Sequence, residues 1–221
     1  MTDAPSGSFR DVLRAIPTRP EERPVLRAES LPTHPMVLLR TWLEEEVENG
    51  TPVPHAFALA TVGMDGAPQA RTVILKDLDD ALWFATSSGS PKGLALAHEA
   101  SAEAVFYWAR SGRQIRVKGR AEPGPRDVSD ADFLARHPSA RAGVALGTQG
   151  TELGDPDEAE RRLAEARRGA EERPGDTSTA WTAYRLIPTH VDVLQLRPAS
   201  AGERVDYVQD GDGWTVRDLW P

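Results

Sequence analysis

Apolar positions along the chain recur with two different periods, and the change from one to the other marks out its elements. Met36, Leu39, Leu43 and Val47, with Trp42 beside them, have the spacing of a helix that starts near His34-Pro35 and stops at Asn49-Gly50. Glu44, Glu45 and Glu46 read as its wet side. Runs of β type follow over 56–62, 68–76 and 81–86. Ser90 is then a good N-cap and Pro91 a good first residue for a helix running to about residue 99. The segments 102–108 and 113–122 form a hairpin through Arg110-Ser111-Gly112. In the second of them Gln114, Arg116, Lys118 and Arg120 alternate with Ile115, Val117 and Gly119, which predicts one basic face and one apolar face.

The segment 129–146 reads as helical with a break at His137-Pro138, and 156–172 as an exposed helix of alternating charge. The last third returns to strands over 180–187, 190–196, 204–208 and 214–219, with Asp210-Gly211-Asp212-Gly213 as a hairpin turn. Short antiparallel strands with a few inserted helices predict a mainly β protein, a β-barrel with helical decoration. Residues 1–33 hold five prolines and little periodicity, so they read as a loosely ordered arm, with a short helix near Phe9 as an option. Residues 34–221 read as one domain.

Composition narrows the function. Asp and Glu outnumber Lys and Arg by 34 to 26, a formal charge of -8 that argues against a nucleic-acid surface. There is no cysteine, which excludes disulfides, thiolate metal sites and a cysteine nucleophile. No run is long and apolar enough to span a membrane and no signal segment opens the chain, so a cytoplasmic location is expected. The five histidines are scattered without metal-ligand spacing, and the carboxylates suggest no acid–base pair. No catalytic residue and no metal ligand is therefore nominated.

What remains is a set of cations on or near strands: Arg71, Lys76, Lys92 and Arg116. The run Ala70-Arg71-Thr72-Val73-Ile74-Leu75-Lys76 is the stretch around which the rest is organised. Arg71 and Lys76 have opposite parity, so a regular strand points them to opposite faces unless the strand end or a bulge re-aims one. A helix N-terminus at Ser90-Pro91-Lys92 offers a phosphate seat, an ordinary capped helix being the alternative. Such a set suits a phosphorylated redox cofactor that carries the chemistry itself.

Arg71-Thr-Val-Ile-Leu-Lys76, Trp83-Phe-Ala-Thr86, Gly89-Ser-Pro-Lys92 and Gln114-Ile-Arg-Val-Lys-Gly119 resemble, in order and spacing, the flavin-binding core of the pyridoxamine 5′-phosphate oxidase family. The likeness extends to the helix at Pro35, to Gln149 and to the ending from Trp214, where Arg217 is shifted by one place from the family's arginine. The resemblance implies an antiparallel split β-barrel homodimer with FMN in each of two clefts between subunits. It implies that Arg71, Thr72, Val73, Ile74, Leu75, Lys76, Ala85, Thr86, Ser90, Lys92 and Gln114 meet the flavin from one subunit. Gln149 and Arg204 are assigned to the other. Hydride passes from substrate to flavin in that family and electrons go on to oxygen, so no protein nucleophile is needed.

The departures bear on the substrate. Pro91 stands where the family has an arginine, and Leu194 where it has a tryptophan. Of the substrate-binding positions, Lys76 and Arg136 remain, Ser200 and Gly202 replace an arginine and a histidine, and Asp132 and Ala140 lie near the places of a tyrosine and a serine. The resemblance thus implies an FMN-dependent oxidase of another small ring compound, as in the phenazine-biosynthesis branch. The alternatives are a pyridoxine or pyridoxamine phosphate oxidase with a remodelled pocket, and a flavin- or F420-binding protein without turnover of its own.

Overall fold

The computed structural model describes residues 8–16 and 20–221. Among these residues nine antiparallel strands form one curled sheet: β1 (Ala56–Val62), β2 (Pro68–Ile74), β3 (Asp77–Leu78), β4 (Leu82–Ser87), β5 (Ser101–Trp108), β6 (Arg113–Pro123), β7 (Trp181–Gln195), β8 (Glu203–Asp210) and β9 (Gly213–Leu219). Their order is β2-β1-β5-β6-β7-β4-β3, with β8 and β9 continuing from the second half of β7. The two ends of that path, β2 and β3, are consecutive in the chain. The sheet therefore curls back on itself and Leu75-Lys76 bridges its edges. The Leu75 N–H donates to the His55 carbonyl beside β1, and the Lys76 N–H to the Trp83 carbonyl in β4. The result is a split β-barrel, as expected from the alternating strands.

Alternation builds the core. Phe57, Leu59, Phe84, Phe106, Ile115, Val117, Leu186, Val191 and Val193 all point inward and are buried. Phe57 packs against both Phe84 and Phe106. The predicted two-faced pattern of β6 holds, with Ile115 and Val117 buried and Lys118 and Arg120 exposed. At Gly119 β6 shifts register against β7, and a Cβ there would stand 1.9 Å from the Ile187 carbonyl oxygen. Only glycine lets the two strands approach so closely. β7 is one strand through Pro188 and Thr189, where two were expected.

Among the described residues six α-helices decorate the barrel: α1 (Phe9–Arg14), α2 (Pro35–Glu48), α3 (Pro91–His98), α4 (Arg126–Leu134), α5 (Pro138–Leu146) and α6 (Pro156–Glu172). α2 buries Met36, Leu38, Leu39 and Trp42, while Val47 is 61% exposed. Its buried stripe is thus rotated from the one expected. Glu46 is buried and accepts from the Thr51 hydroxyl, so the glutamate run is not uniformly wet. The arm also departs from expectation. Between Pro20 and Thr33 the chain is tied to the barrel: Leu26 enters the core, Gln195 donates to the Pro24 carbonyl and Tyr207 to the Pro32 carbonyl. Residues 1–7 and 17–19, also assigned to that arm, lie outside the described residues.

Candidate functional site

A cleft of about 440 Å³ opens where β2, β4 and α3 meet the α4–α5 region. Its lining includes Thr72, Val73 and Ile74 of β2, Lys76, Ala85 and Thr86 of β4, and Lys92 of α3. Arg136, Ala140 and Gln149 close it from the other side, with Trp181 from the start of β7. Lys76 reaches the cleft because β2 ends at Ile74 and the chain crosses to β4, which frees it from strand parity. Leu75, expected among the flavin contacts, points into the core instead.

Lys92 lines the cleft, and Arg71, outside its lining, lies near enough to act on Lys92. Arg71 is anchored by donating to the Leu59 carbonyl (3.1 Å), the Thr61 hydroxyl (2.7 Å) and Gln69. Burial lowers its pKa. Burial also lowers the pKa of Lys92, and Arg71 adds its repulsion. No carboxylate offsets either shift. Arg71 and Lys92 are thus two partly buried like charges near each other, an arrangement that favours a nearby anion. Ser90 is the N-cap of α3, as expected, and is not among the residues that line the cleft. Its hydroxyl, almost fully buried, donates to the Ser87 carbonyl (2.7 Å) and accepts from the Gly93 N–H (3.2 Å). Its oxygen makes the cap and its proton goes to Ser87, so it positions α3 and Lys92.

The other end of the cleft is a linked row of side chains. The Lys76 ammonium lies 3.1 Å from one Asp132 oxygen, and the Trp181 indole N–H donates to the other at 2.8 Å. The Arg136 guanidinium stacks 4.0 Å above the Trp181 ring. Burial lowers the Arg136 pKa and Asp132 partly restores it. Trp181 carried no motif. Its position at the start of a strand opposite Ser87 is a product of β4–β7 register, which the sequence does not display.

Gln149 and Gln114 exchange the places the resemblance gave them. Gln149 lines the cleft of its own chain, brought there because Pro91 packs against the Gly150 backbone. Gln114 lies on a different surface, directly opposite Leu194, which in turn lies opposite Arg204 across β6, β7 and β8. Arg204 is held 2.7 Å from Asp192, and Arg116 2.6 Å from Glu103 beside it. None of Gln114, Leu194 and Arg204 lines the cleft of its own chain. Ser200 and Gly202 do not either; they sit in the β7–β8 loop, where the Gly202 N–H donates to the Ser200 hydroxyl.

The class of fold is thus a split barrel with a cleft beside β2 and β4 that Lys76, Lys92 and Arg136 line. The chain belongs to the pyridoxamine 5′-phosphate oxidase family: the family's sequence profile matches residues 43–168. It is 39% identical over 189 residues to a pyridoxine/pyridoxamine 5′-phosphate oxidase of Cupriavidus taiwanensis, covering 85% of this chain and 89% of that one. With its counterpart from Rubrobacter xylanophilus it shares 33% over 218 residues, covering 98% of this chain and all of the other. Among solved structures it is similar to PhzG from Burkholderia lata in complex with tetrahydrophenazine-1-carboxylic acid, with TM-score 0.82 and 27% identity over 91% of this chain and all of that one. An FMN-binding protein from Nostoc punctiforme shares the fold at TM-score 0.69 and 19% identity, covering 86% of this chain and all of that one. Among the described residues no helix is long and apolar enough to cross a membrane.

Proposed function

We propose that this protein is an FMN-dependent oxidase of a small, reduced ring compound. The observation that carries this reading is the pair Arg71 and Lys92, whose unbalanced charge suits the phosphate of FMN rather than a neutral ligand. The chemistry FMN supplies when bound is acceptance of a hydride from the substrate and transfer of both electrons to oxygen. The chain's own part is to bind and orient. Lys92 and Arg71 hold the phosphate, while Thr72, Val73, Ile74, Ala85 and Thr86 line the groove beside them. Ala140, Gly143 and Val144 of α5 give the cleft an apolar wall on that side. Lys76, Arg136 and Trp181 meet the substrate.

A homodimer completes the site. The row Gln114, Leu194 and Arg204 lies outside its own cleft and presents an amide, an apolar side chain and a cation, a set suited to covering a flavin held by the partner. The similarity to PhzG, whose complex holds a tetrahydrophenazine carboxylic acid, supports a reduced ring as substrate. Pyridoxine or pyridoxamine phosphate is the rival reading, favoured by the activity given to the Cupriavidus and Rubrobacter relatives. The purified protein should be yellow, release FMN on denaturation, and generate peroxide with its substrate. A protein that stays colourless with added FMN overturns the proposal, and rapid turnover of pyridoxine phosphate selects the rival.

A further inference from the structure

Resting on the oxidase reading, we infer that Asp132 is a specificity-determining residue that sets this cleft for a singly charged carboxylate ring and against a phosphate monoester. The substrate end holds two cations, Lys76 and Arg136, and Asp132 lies against one of them at 3.1 Å. The carboxylate is fixed there from both sides, since its second oxygen accepts the Trp181 indole N–H at 2.8 Å. Lys76 is therefore already neutralised by the protein, and one net positive charge remains at this end of the cleft.

That remaining charge is Arg136. Its guanidinium carbon lies 4.0 Å from the centre of the Trp181 ring, and its Nε is buried with no hydrogen-bond partner among the described residues. A guanidinium with unused donors beside an indole face matches a planar ring bearing one carboxylate. A phosphate monoester carries nearly two negative charges at neutral pH. To reach Lys76 it must approach Asp132, and like charges at that distance repel strongly in a partly dry site. The nearby α5 wall adds no donor at Ala140, Gly143 or Val144 side chains. Charge count and shape thus agree on the same class of ligand.

The test compares two probes with one ring and different anions, 1-naphthoate and 1-naphthyl phosphate, by titration calorimetry of the flavin-loaded protein. The natural protein should bind naphthoate at least about tenfold more tightly than naphthyl phosphate, the range expected for a single charged hydrogen bond. Asp132→Asn keeps an acceptor for Trp181 and removes the charge, so it should move the ratio about tenfold towards the phosphate. Asp132→Glu keeps the charge and should keep the preference. Equal or tighter binding of naphthyl phosphate by the natural protein overturns the inference, as does absence of naphthoate binding or a ratio unmoved in Asp132→Asn. If the protein takes up no flavin, the oxidase reading fails separately, and the inference is then decided by whether Asp132→Asn moves the ratio towards the phosphate in the flavin-free chain.

Discussion

The Arg71 guanidinium repels the Lys92 ammonium, and burial, the larger effect, acts in the same direction, so Lys92 loses its proton below the ordinary lysine value of 10.5. A bound phosphate favours the protonated amine. FMN affinity should therefore fall as pH rises through the lowered Lys92 pKa. In the flavin-free chain the sign reverses. Between that lowered value and 10.5 the unfolded state binds more protons than the folded one, so this group's contribution to stability rises with pH. Flavin-fluorescence titrations from neutral pH upward should show the loss of affinity. Lys92→Gln should bind FMN more weakly with a flatter profile, and a flat profile in the natural protein counts against the assignment.

Placing Gln114 and Arg204 on one surface and Lys92 on another predicts complementation between subunits. Arg204→Ala alone leaves buried Asp192 without its 2.7 Å partner, so it is best combined with Asp192→Asn. A homodimer of that double variant, and one of Lys92→Gln, should each bind flavin weakly, by roughly 1.5–3 kcal/mol per lost charged hydrogen bond. In the mixed dimer one cleft carries both lesions and the other carries none. Half of its sites should regain natural affinity, measured by FMN titration of tagged heterodimers. If both sites stay weak, the two surfaces do not meet on one flavin.

Much of the barrel was legible because alternation is a local signal: β1, β5 and β6 follow from their period-2 pattern. The caps of α3 at Ser90-Pro91 were equally local. What escaped depends on pairing between distant segments. Trp181 enters the cleft through its register with Ser87, and Gln149 through the contact of Pro91 with Gly150. The rotation of α2, which buries Glu46 and exposes Val47, reflects what the barrel leaves open rather than helical period alone. Family resemblance supplied the residues of the site, but it set Gln114 and Gln149 on surfaces other than those they occupy. Asp132 stood out in the sequence only as a departure, and its meaning rests on the 3.1 Å approach to Lys76.

Gly119→Ala tests the closure of the barrel itself. The added methyl would fall 1.9 Å from the Ile187 carbonyl oxygen, in backbone that two strands hold in place. Neither β6 nor β7 can retreat without breaking its ladder. The variant should lose about 1–3 kcal/mol or more, as overpacked sites do, seen as a lowered urea midpoint. Unchanged stability would mean that the strands yield more easily than their register indicates.

Oxidation of pyridoxine phosphate should be slow, and for reasons that substitution in the β7–β8 loop cannot undo. Ser200 is too short to replace an arginine at a phosphate, and Gly202 has no side chain to offer. Each missing charged hydrogen bond is worth roughly 1.5–3 kcal/mol, about ten- to a hundredfold in rate or binding. Restoring both residues meets a backbone obstacle. Gly202 has φ of +89°, and a Cβ there would lie 2.9 Å from the Gln195 carbonyl oxygen. Gly202→His should therefore cost roughly 1–3 kcal/mol of stability, whereas exposed Ser200→Arg should be near neutral. Steady-state assays beside the Cupriavidus taiwanensis oxidase should show the natural protein at least about tenfold lower in kcat/KM for pyridoxine phosphate. Ser200→Arg, Gly202→His should recover little of it while melting at lower temperature. Parity with that oxidase would show that Lys76 and Arg136 suffice for a phosphate despite Asp132.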